Sequence, residues 1–145
     1  MIKYINTIVV GGGQAGLAAS EHLSNNNIEH VVFEKSRIVE KWRSCRWDSL
    51  VANGPAWHDR FPTLEFSNSD PNSFVSKNRV VEYFEEFAKK IKAPIKGNVN
   101  VEKVEKNSSN PKFLVKTSDG LYESDNVIVA TGAFQDPIIP KIIPQ

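Results

Sequence analysis

The chain has 145 residues, of which 40% are hydrophobic and 24% charged, and a formal net charge of +1. This composition is ordinary for one globular domain, and the near-zero charge argues against a surface dedicated to nucleic acid or anionic membranes. No apolar run approaches the ~20 residues of a membrane-spanning helix, and no signal-peptide pattern precedes the first glycines. The single cysteine, Cys45, excludes an internal disulfide framework. We therefore expect a cytoplasmic protein that binds neither nucleic acid nor membrane.

The beginning of the chain has the pattern of a strand–turn–helix–strand unit. A β-branched run from Ile5 to Val10 predicts a strand buried on both faces of a parallel sheet. The alanine- and leucine-rich stretch after the glycines predicts a helix that ends near Asn25, and residues 30–33 predict a second strand. The whole pattern fits in about 30 residues, which is the size of a βαβ unit.

Between the first strand and the helix lies a GxGxxG motif, written Gly11-Gly12-Gly13-Gln14-Ala15-Gly16. In such a motif Gly11 permits the tight turn, Gly13 lets the backbone approach a pyrophosphate, and Gly16 lets the helix pack against the sheet. Free N–H groups at the helix start, around Gln14 and Ala15, favour a phosphate there. The motif therefore predicts a phosphate-binding loop.

An acidic residue ends the second strand, about 20 residues after the motif, where a dinucleotide-binding unit places one. This residue is Glu34, and we expect its carboxylate to accept hydrogen bonds from an adenosine ribose. A carboxylate also repels a 2′-phosphate, so this first site should not prefer NADP. The unit by itself leaves the choice between FAD and NAD open.

Residues 40–66, EKWRSCRWDSLVANGPAWHDRFPTLEF, contain all three tryptophans and show no clear period. A long aromatic loop of this kind is either functional or packed over something. Together with the glycine motif, the stretch resembles the FAD-binding N-terminal region of the flavin-containing monooxygenases and their single-component relatives. The resemblance rests on Glu34-Lys35, Trp42-Arg43, Arg46-Trp47-Asp48-Ser49-Leu50 and Asn53-Gly54-Pro55, and it covers essentially the whole chain.

The resemblance implies a flavoprotein that uses FAD and, in the complete enzyme, NADPH, with O₂ and a small organic substrate as reactants. It implies that Glu34 and Lys35 lie at the adenosine ribose, and that Trp42 and Arg43 lie along the ribityl chain and pyrophosphate. Asn53 would lie near the isoalloxazine ring, which makes it the candidate catalytic residue.

The next segment predicts a helix over residues 77–92, because apolar side chains recur there at helical spacing. Ser76 is the expected N-cap, and Glu85 and Glu86 are placed to pair with lysines four residues later. We interpret this helix as structural.

Three short antiparallel strands follow, over residues 98–106, 112–116 and 121–123, with a turn at Ser118-Asp119-Gly120. The resemblance implies that backbone groups at Val101 contact adenine. A further buried strand, residues 126–129, leads into Ala130-Thr131-Gly132, which resembles the second FAD fingerprint of flavoproteins.

No cluster of residues has the spacing of metal ligands, so we predict no metal site. His58 is interpreted as a loop residue without a chemical role. Cys45 has no second cysteine to pair with, which argues against a disulfide reductase built on the same fold.

The sequence thus predicts an α/β, Rossmann-like FAD-binding domain over residues 1–135, with a central parallel sheet and an antiparallel β-meander, incomplete at its C-terminus. Residues 136–145 are proline-rich and resemble a linker toward an absent NAD(P)H domain. We expect the isolated chain to be inactive, and exposed apolar surface leaves a homo-oligomer open. Two alternatives stay open: a non-catalytic dinucleotide-binding regulatory module, or a fragment of an NAD-dependent dehydrogenase.

Overall fold

The computed structural model describes residues 2–106, 112–133 and 142. Its elements in chain order are β1 (Lys3–Tyr4), β2 (Thr7–Val10), α1 (Gln14–Asn25), β3 (His30–Phe33), α2 (Glu40–Ser44), α3 (Lys77–Lys90), β4 (Ile95–Lys96), β5 (Val101–Lys106), β6 (Phe113–Thr117), β7 (Gly120–Ser124) and β8 (Asn126–Val129).

One sheet is entirely parallel, with strand order β4-β3-β2-β8. Its central strand β2 carries Ile8 and Val9, both fully buried, as the β-branched run predicted. Because the four strands point the same way, their carboxyl ends meet at one edge of the sheet. Gly11, Glu34, Gly97 and Ala130 follow the strands at that edge, which is where ligands of open α/β sheets bind.

The second sheet has strand order β1-β7-β6-β5 and contains the predicted antiparallel meander. It packs against the parallel sheet through a shared apolar cluster, in which the rings of Phe33 and Tyr122 meet edge to face at 4.9 Å. The predicted fold class, a parallel sheet with an antiparallel meander, is confirmed.

The predicted amphipathic helix is confirmed as α3, which begins after the N-cap Ser76, whose Oγ accepts a hydrogen bond from the Arg79 amide. Its apolar face closes a second core together with residues of the 40–66 segment. The rings of Phe61 and Phe87, for example, stack at 3.8 Å.

The structure corrects three predictions about elements. The strand β8 was predicted to be buried, but it is a sheet edge among the described residues, and Val129 is 71% exposed. The 40–66 segment is not wholly irregular, because it contains the one-turn helix α2. The two-residue strands β1 and β4 were not predicted, since two residues are too short to show a period.

A fourth correction concerns the exposed charges of α3. Glu85 and Glu86 form ion pairs with Arg43 and Arg79, not with the lysines four residues further along the helix. The physical reason is geometric: the arginines' planar forks can engage carboxylates from neighbouring turns and elements.

The boundary predicted at residue 135 and the linker over residues 136–145 fall almost entirely outside the described residues. Within the described part of the chain, no helix has both the length and the apolar character that crossing a membrane requires. The same residues contain no group of three or more potential ligands that could hold a metal ion.

Candidate nucleotide-binding site

The three signature glycines of the loop have different surroundings. Gly11 has φ +111°, and a Cβ added to it would lie 2.4 Å from the carbonyl oxygen of Ala130. A Cβ added to Gly16 would lie 1.9 Å from the carbonyl oxygen of Gly11. A Cβ on Gly13, in contrast, would meet no atom of residues 2–106, 112–133 or 142 within 4 Å. Gly11 and Gly16 are therefore required by packing, whereas Gly13 borders open space.

The helix α1 begins at this open space without a side-chain cap. Its N-cap is Gly13, no acidic residue occupies the first turn, and the first intrahelical bond runs from the Leu17 amide to the Gly13 carbonyl, 2.9 Å. The amides before Leu17 therefore lack intrahelical acceptors, and the helix dipole adds positive potential. Gln14 and Ala15, both exposed, lie at this helix start, as the motif predicted.

The carboxylate of Glu34 contacts the glycine loop directly. Its Oε2 accepts a hydrogen bond from the Gly12 amide at 2.8 Å, and its Oε1 accepts one from the Ser36 amide at 2.9 Å. Each carboxylate oxygen has two lone-pair sites, so the group can also accept hydrogen bonds from a diol. The structure thus brings Glu34 and the loop together, while the side chain of Lys35 is exposed to solvent beside them.

Backbone from the start of the meander lies on the far side of Glu34. The amide of Val99 donates to the Glu34 carbonyl at 2.9 Å, and the amide of Asn98 donates to the Ser36 carbonyl at 3.1 Å. Val101 begins β5 two residues beyond, paired with Thr117. Val101, the residue predicted to contact adenine, therefore lies on a segment whose backbone is hydrogen-bonded to Glu34, the residue predicted to contact the ribose.

The second fingerprint lies against the first. The Ala130 amide donates to the Val10 carbonyl at 2.8 Å, and the carbonyl oxygen of Ala130 packs on Gly11. Thr131 and Gly132 follow at the exposed edge, and Gly132 has φ +78°, a conformation that favours glycine. The structure thus joins the two fingerprints at one edge of the sheet.

The helix α2 is connected to the glycine loop by backbone hydrogen bonds of Val39, a residue that the sequence analysis missed. Val39 is buried and left-handed, with φ +53°, which is rare for a β-branched residue. Its amide donates to the Gly12 carbonyl at 3.3 Å, and its carbonyl accepts from the amides of Trp42 and Arg43. These bonds connect the predicted pair Trp42-Arg43 to the glycine loop through Val39. The side chain of Trp42 packs on the second core.

The guanidinium of Arg43 is only partly satisfied by the protein. Its Nη2 donates to a carboxylate oxygen of Glu85, whereas its Nε is buried and has no hydrogen-bond partner among the described residues. An unpaired buried donor is costly unless an acceptor reaches it. The open space at Gly13 and the uncapped helix start are features that suit a phosphate-bearing nucleotide.

The candidate catalytic residue Asn53 lies in a different segment, and its side chain is exposed. The turn that carries it is fixed on both sides. The Ala52 amide donates to the Val75 carbonyl at 2.8 Å, and the Gly54 amide donates to Oδ2 of Asp59 at 2.6 Å. Hydrogen bonds from His58 and from this amide hold the pKa of the Asp59 carboxyl below its usual value.

The residues predicted to lack a chemical role have ordinary surroundings. His58 is exposed and contacts Asp59 through Nδ1 at 2.8 Å, and Cys45 is exposed at the end of α2. The residues that the sequence analysis missed, Ser36 and Val39, act through backbone groups. Of these two, only Val39 is unusual, because β-branched residues rarely adopt the left-handed conformation that it has just before α2.

The fold and the site define a Rossmann-like dinucleotide-binding protein, with a glycine loop, an acidic strand end and an uncapped helix at one sheet edge. The chain belongs to the pyridine nucleotide-disulphide oxidoreductase family, whose model matches residues 8–144.

Curated relatives agree with this assignment. The "Uncharacterized oxidoreductase CzcO-like" of Geobacillus kaustophilus (strain HTA426) is 37% identical over 97% of this chain. The "Probable indole-3-pyruvate monooxygenase YUCCA1" of Arabidopsis thaliana is 35% identical over 93% of it. The matches cover 39% and 33% of those two proteins, so this chain spans between a third and two fifths of their length.

A solved structure shows the same fold. The flavin-containing monooxygenase from Stenotrophomonas maltophilia superimposes with a TM-score of 0.84, at 24% identity, over 97% of this chain and 42% of its own. The resemblance to flavin-dependent monooxygenases stated from the sequence is confirmed by these relatives.

Proposed function

We propose that this chain is the FAD-binding portion of an NADPH-dependent flavoprotein monooxygenase that inserts oxygen into a small organic substrate. The observation that carries the proposal is the placement of the Glu34 carboxylate on the glycine loop, beside the uncapped start of α1. In an adenine dinucleotide a diphosphate adjoins the adenosine ribose. The diphosphate suits the uncapped helix start, and the ribose suits the Glu34 carboxylate. The names of the monooxygenase relatives support the reaction class.

Each predicted residue then has a role in holding the nucleotide. The amides of Gly13 and of the first turn of α1 bind the pyrophosphate, and Glu34 binds the adenosine ribose. The backbone around Val101 contacts the adenine, and Arg43 supplies a donor to a phosphate oxygen. FAD, when bound, supplies the redox chemistry that links a reduced nicotinamide to O₂.

The remaining predicted residues extend the same site. We assign Trp42 to the wall along the ribityl chain, and Thr131 and Gly132 to the edge where the second fingerprint meets the first. Asn53 would present its side-chain amide to the reacting ring as a hydrogen-bond donor or acceptor. Lys35 is proposed to lie at the solvent side of the ribose.

The domain limits and the location are part of the same proposal. We place the FAD-binding domain at residues 1–135, followed by a linker at residues 136–145. We also place the protein in the cytoplasm, because a chain with one cysteine has no internal disulfide that would need an oxidising compartment.

The family's description also names disulphide oxidoreductases, which reduce a disulfide through the flavin. This chain contains one cysteine, Cys45, at an exposed position. A reductase that used a cysteine pair would therefore need at least one thiol from outside these 145 residues, or one from each of two chains. The monooxygenase proposal needs no cysteine pair.

A titration of the purified protein with FAD, NAD and ADP tests the proposal. We expect one FAD to bind per chain, with the yellow colour and visible absorption of a bound flavin, and weaker binding of NAD and ADP. A folded protein that binds NAD but not FAD would favour the dehydrogenase alternative. Saturable FAD binding without any NADPH oxidation would be consistent with a binding portion that needs the rest of the enzyme.

A further inference from the structure

The helix α3 does more than close the core, because one of its carboxylates contacts the proposed cofactor-binding arginine. Glu85, whose side chain is 48% exposed, accepts a hydrogen bond from Nη2 of Arg43 on α2. The same helix also holds the segment after α2. The ammonium group of Lys77 donates to Oδ1 of Asp48 at 2.7 Å and to the Arg46 carbonyl at 3.2 Å.

The position of Arg43 is fixed at both ends. Its backbone amide donates to the Val39 carbonyl at 3.4 Å, and the Val39 amide donates to the Gly12 carbonyl at 3.3 Å. Its side-chain end is held by Glu85, while Nε is buried and finds no partner within the part of the chain that the structure describes. Glu85 thus orients the guanidinium, and the buried Nε donor stays unsatisfied among the described residues.

Another carboxylate lies near Arg43, but it is already engaged. Glu40 accepts two hydrogen bonds from Arg37, at 2.7 and 2.9 Å, and a third from Ser44. These bonds, with the charges of both arginines, lower the pKa of the Glu40 carboxyl to about 2. Glu85 is therefore the carboxylate that orients the Arg43 side chain.

We propose that Glu85 is a positioning residue for nucleotide binding, which holds the Arg43 guanidinium in an orientation that lets it donate to a phosphate oxygen. This inference rests on the proposed function. A long, flexible side chain that is already fixed loses less conformational freedom when the ligand binds, so its hydrogen bond contributes more to affinity. That gain must exceed the repulsion between the Glu85 carboxylate and the phosphate.

The first experiment compares FAD dissociation constants of Glu85→Ala, Glu85→Gln and a control, Glu82→Ala. Glu82 lies on the same helix, is 63% exposed and contacts Arg79 at 3.5 Å. We expect Glu85→Ala to weaken FAD binding about tenfold, and Glu85→Gln, which retains an acceptor oxygen, to weaken it less than threefold. The control should match the wild type, and all variants should melt within a few degrees of it without FAD.

The second experiment places Glu85→Ala in an Arg43→Ala background, because a residue that acts through Arg43 has no effect once Arg43 is absent. We expect Arg43→Ala to weaken FAD binding and the double variant to bind no more weakly than Arg43→Ala. An equal loss in both backgrounds would overturn the inference, as would wild-type affinity in Glu85→Ala or in Arg43→Ala. Each of these results leaves FAD binding as the proposed function intact if the wild type binds FAD, although wild-type affinity in Arg43→Ala also removes Arg43 from the site. A wild type that binds no FAD overturns both.

Discussion

At the scale of single residues, the loop shows that glycines of one motif can be required for different reasons. Gly11 and Gly16 have backbone atoms at distances that no Cβ could tolerate, so the fold itself selects glycine there. Gly13 has open space around its missing Cβ, so packing against the described residues does not select it. The proposed site explains this glycine, because a pyrophosphate would approach the backbone at that position.

This difference predicts opposite outcomes for two alanine substitutions. Gly16→Ala should destabilise the fold by at least about 3 kcal/mol, because its Cβ would collide with the Gly11 carbonyl and neither backbone can yield. Gly13→Ala should cost at most about 1 kcal/mol, the difference between glycine and alanine at an N-cap. Its FAD affinity should nevertheless fall at least tenfold, because the methyl group occupies the path of the diphosphate.

Thermal melting and FAD titration of the two variants measure both effects. A Gly13→Ala protein that melts normally and binds FAD with wild-type affinity would remove Gly13 from the site. A stable Gly16→Ala protein would contradict the packing argument for that position.

At the scale of elements, short irregular segments carry much of the proposed site. The turn at Asn53 is an example, because its neighbour Gly54 donates to the Asp59 carboxylate and a Cβ on Gly54 would lie 2.5 Å from Oδ1 of that carboxylate. The ionised form of Asp59 thus stabilises the turn that presents Asn53.

This arrangement predicts a pH-dependent effect of Asp59→Asn. The folded pKa of Asp59 is lowered, so its contribution to stability is present above the ordinary pKa of 3.8 and is lost as the pH falls below that value. At pH 7 the variant should be less stable by about 1 kcal/mol, since asparagine retains an acceptor for the Gly54 amide but not the charge. Urea denaturation at several pH values should show the two proteins converging below about pH 4. A difference that stays constant or grows toward low pH would contradict this assignment.

The sequence predicted the elements that have a clear period or a turn signature. The β-branched run gave β2, the apolar spacing gave α3, and the turn at Ser118-Asp119-Gly120 placed the β6–β7 hairpin. It did not predict β1, β4 or α2, because two to five residues are too few for a period to emerge. The exposure of β8 also could not be predicted, since an apolar strand reads the same at the edge and at the centre of a sheet.

The candidate site likewise has side-chain positions that the sequence predicted and backbone contacts that it did not. Side-chain identities in a known spacing predicted the glycine loop and Glu34, and the structure brings these together. The contacts of Val39, Ser36 and Val99 run through backbone groups, which leave little trace in a sequence. The pairing of Arg43 with Glu85 joins residues far apart in the chain, so no local pattern could indicate it.

At the scale of the whole molecule, the parallel sheet and the segment that leads into the meander meet at one edge. The parallel strands bring the glycine loop, Glu34 and Ala130 to that edge, and the meander supplies the backbone at Val99. The central claim is that the amides of this edge bind the diphosphate of FAD.

The most direct test is a titration of the isotope-labelled protein with FAD, followed through its backbone amide chemical shifts. The account predicts that the largest changes occur at Gly12–Leu17, at Ser36 and at Val99, whose amides lie at or beside the glycine loop and Glu34. Unchanged shifts at these amides, with changes confined to the open groove lined by Leu23, Ile28 and Val127, would contradict it.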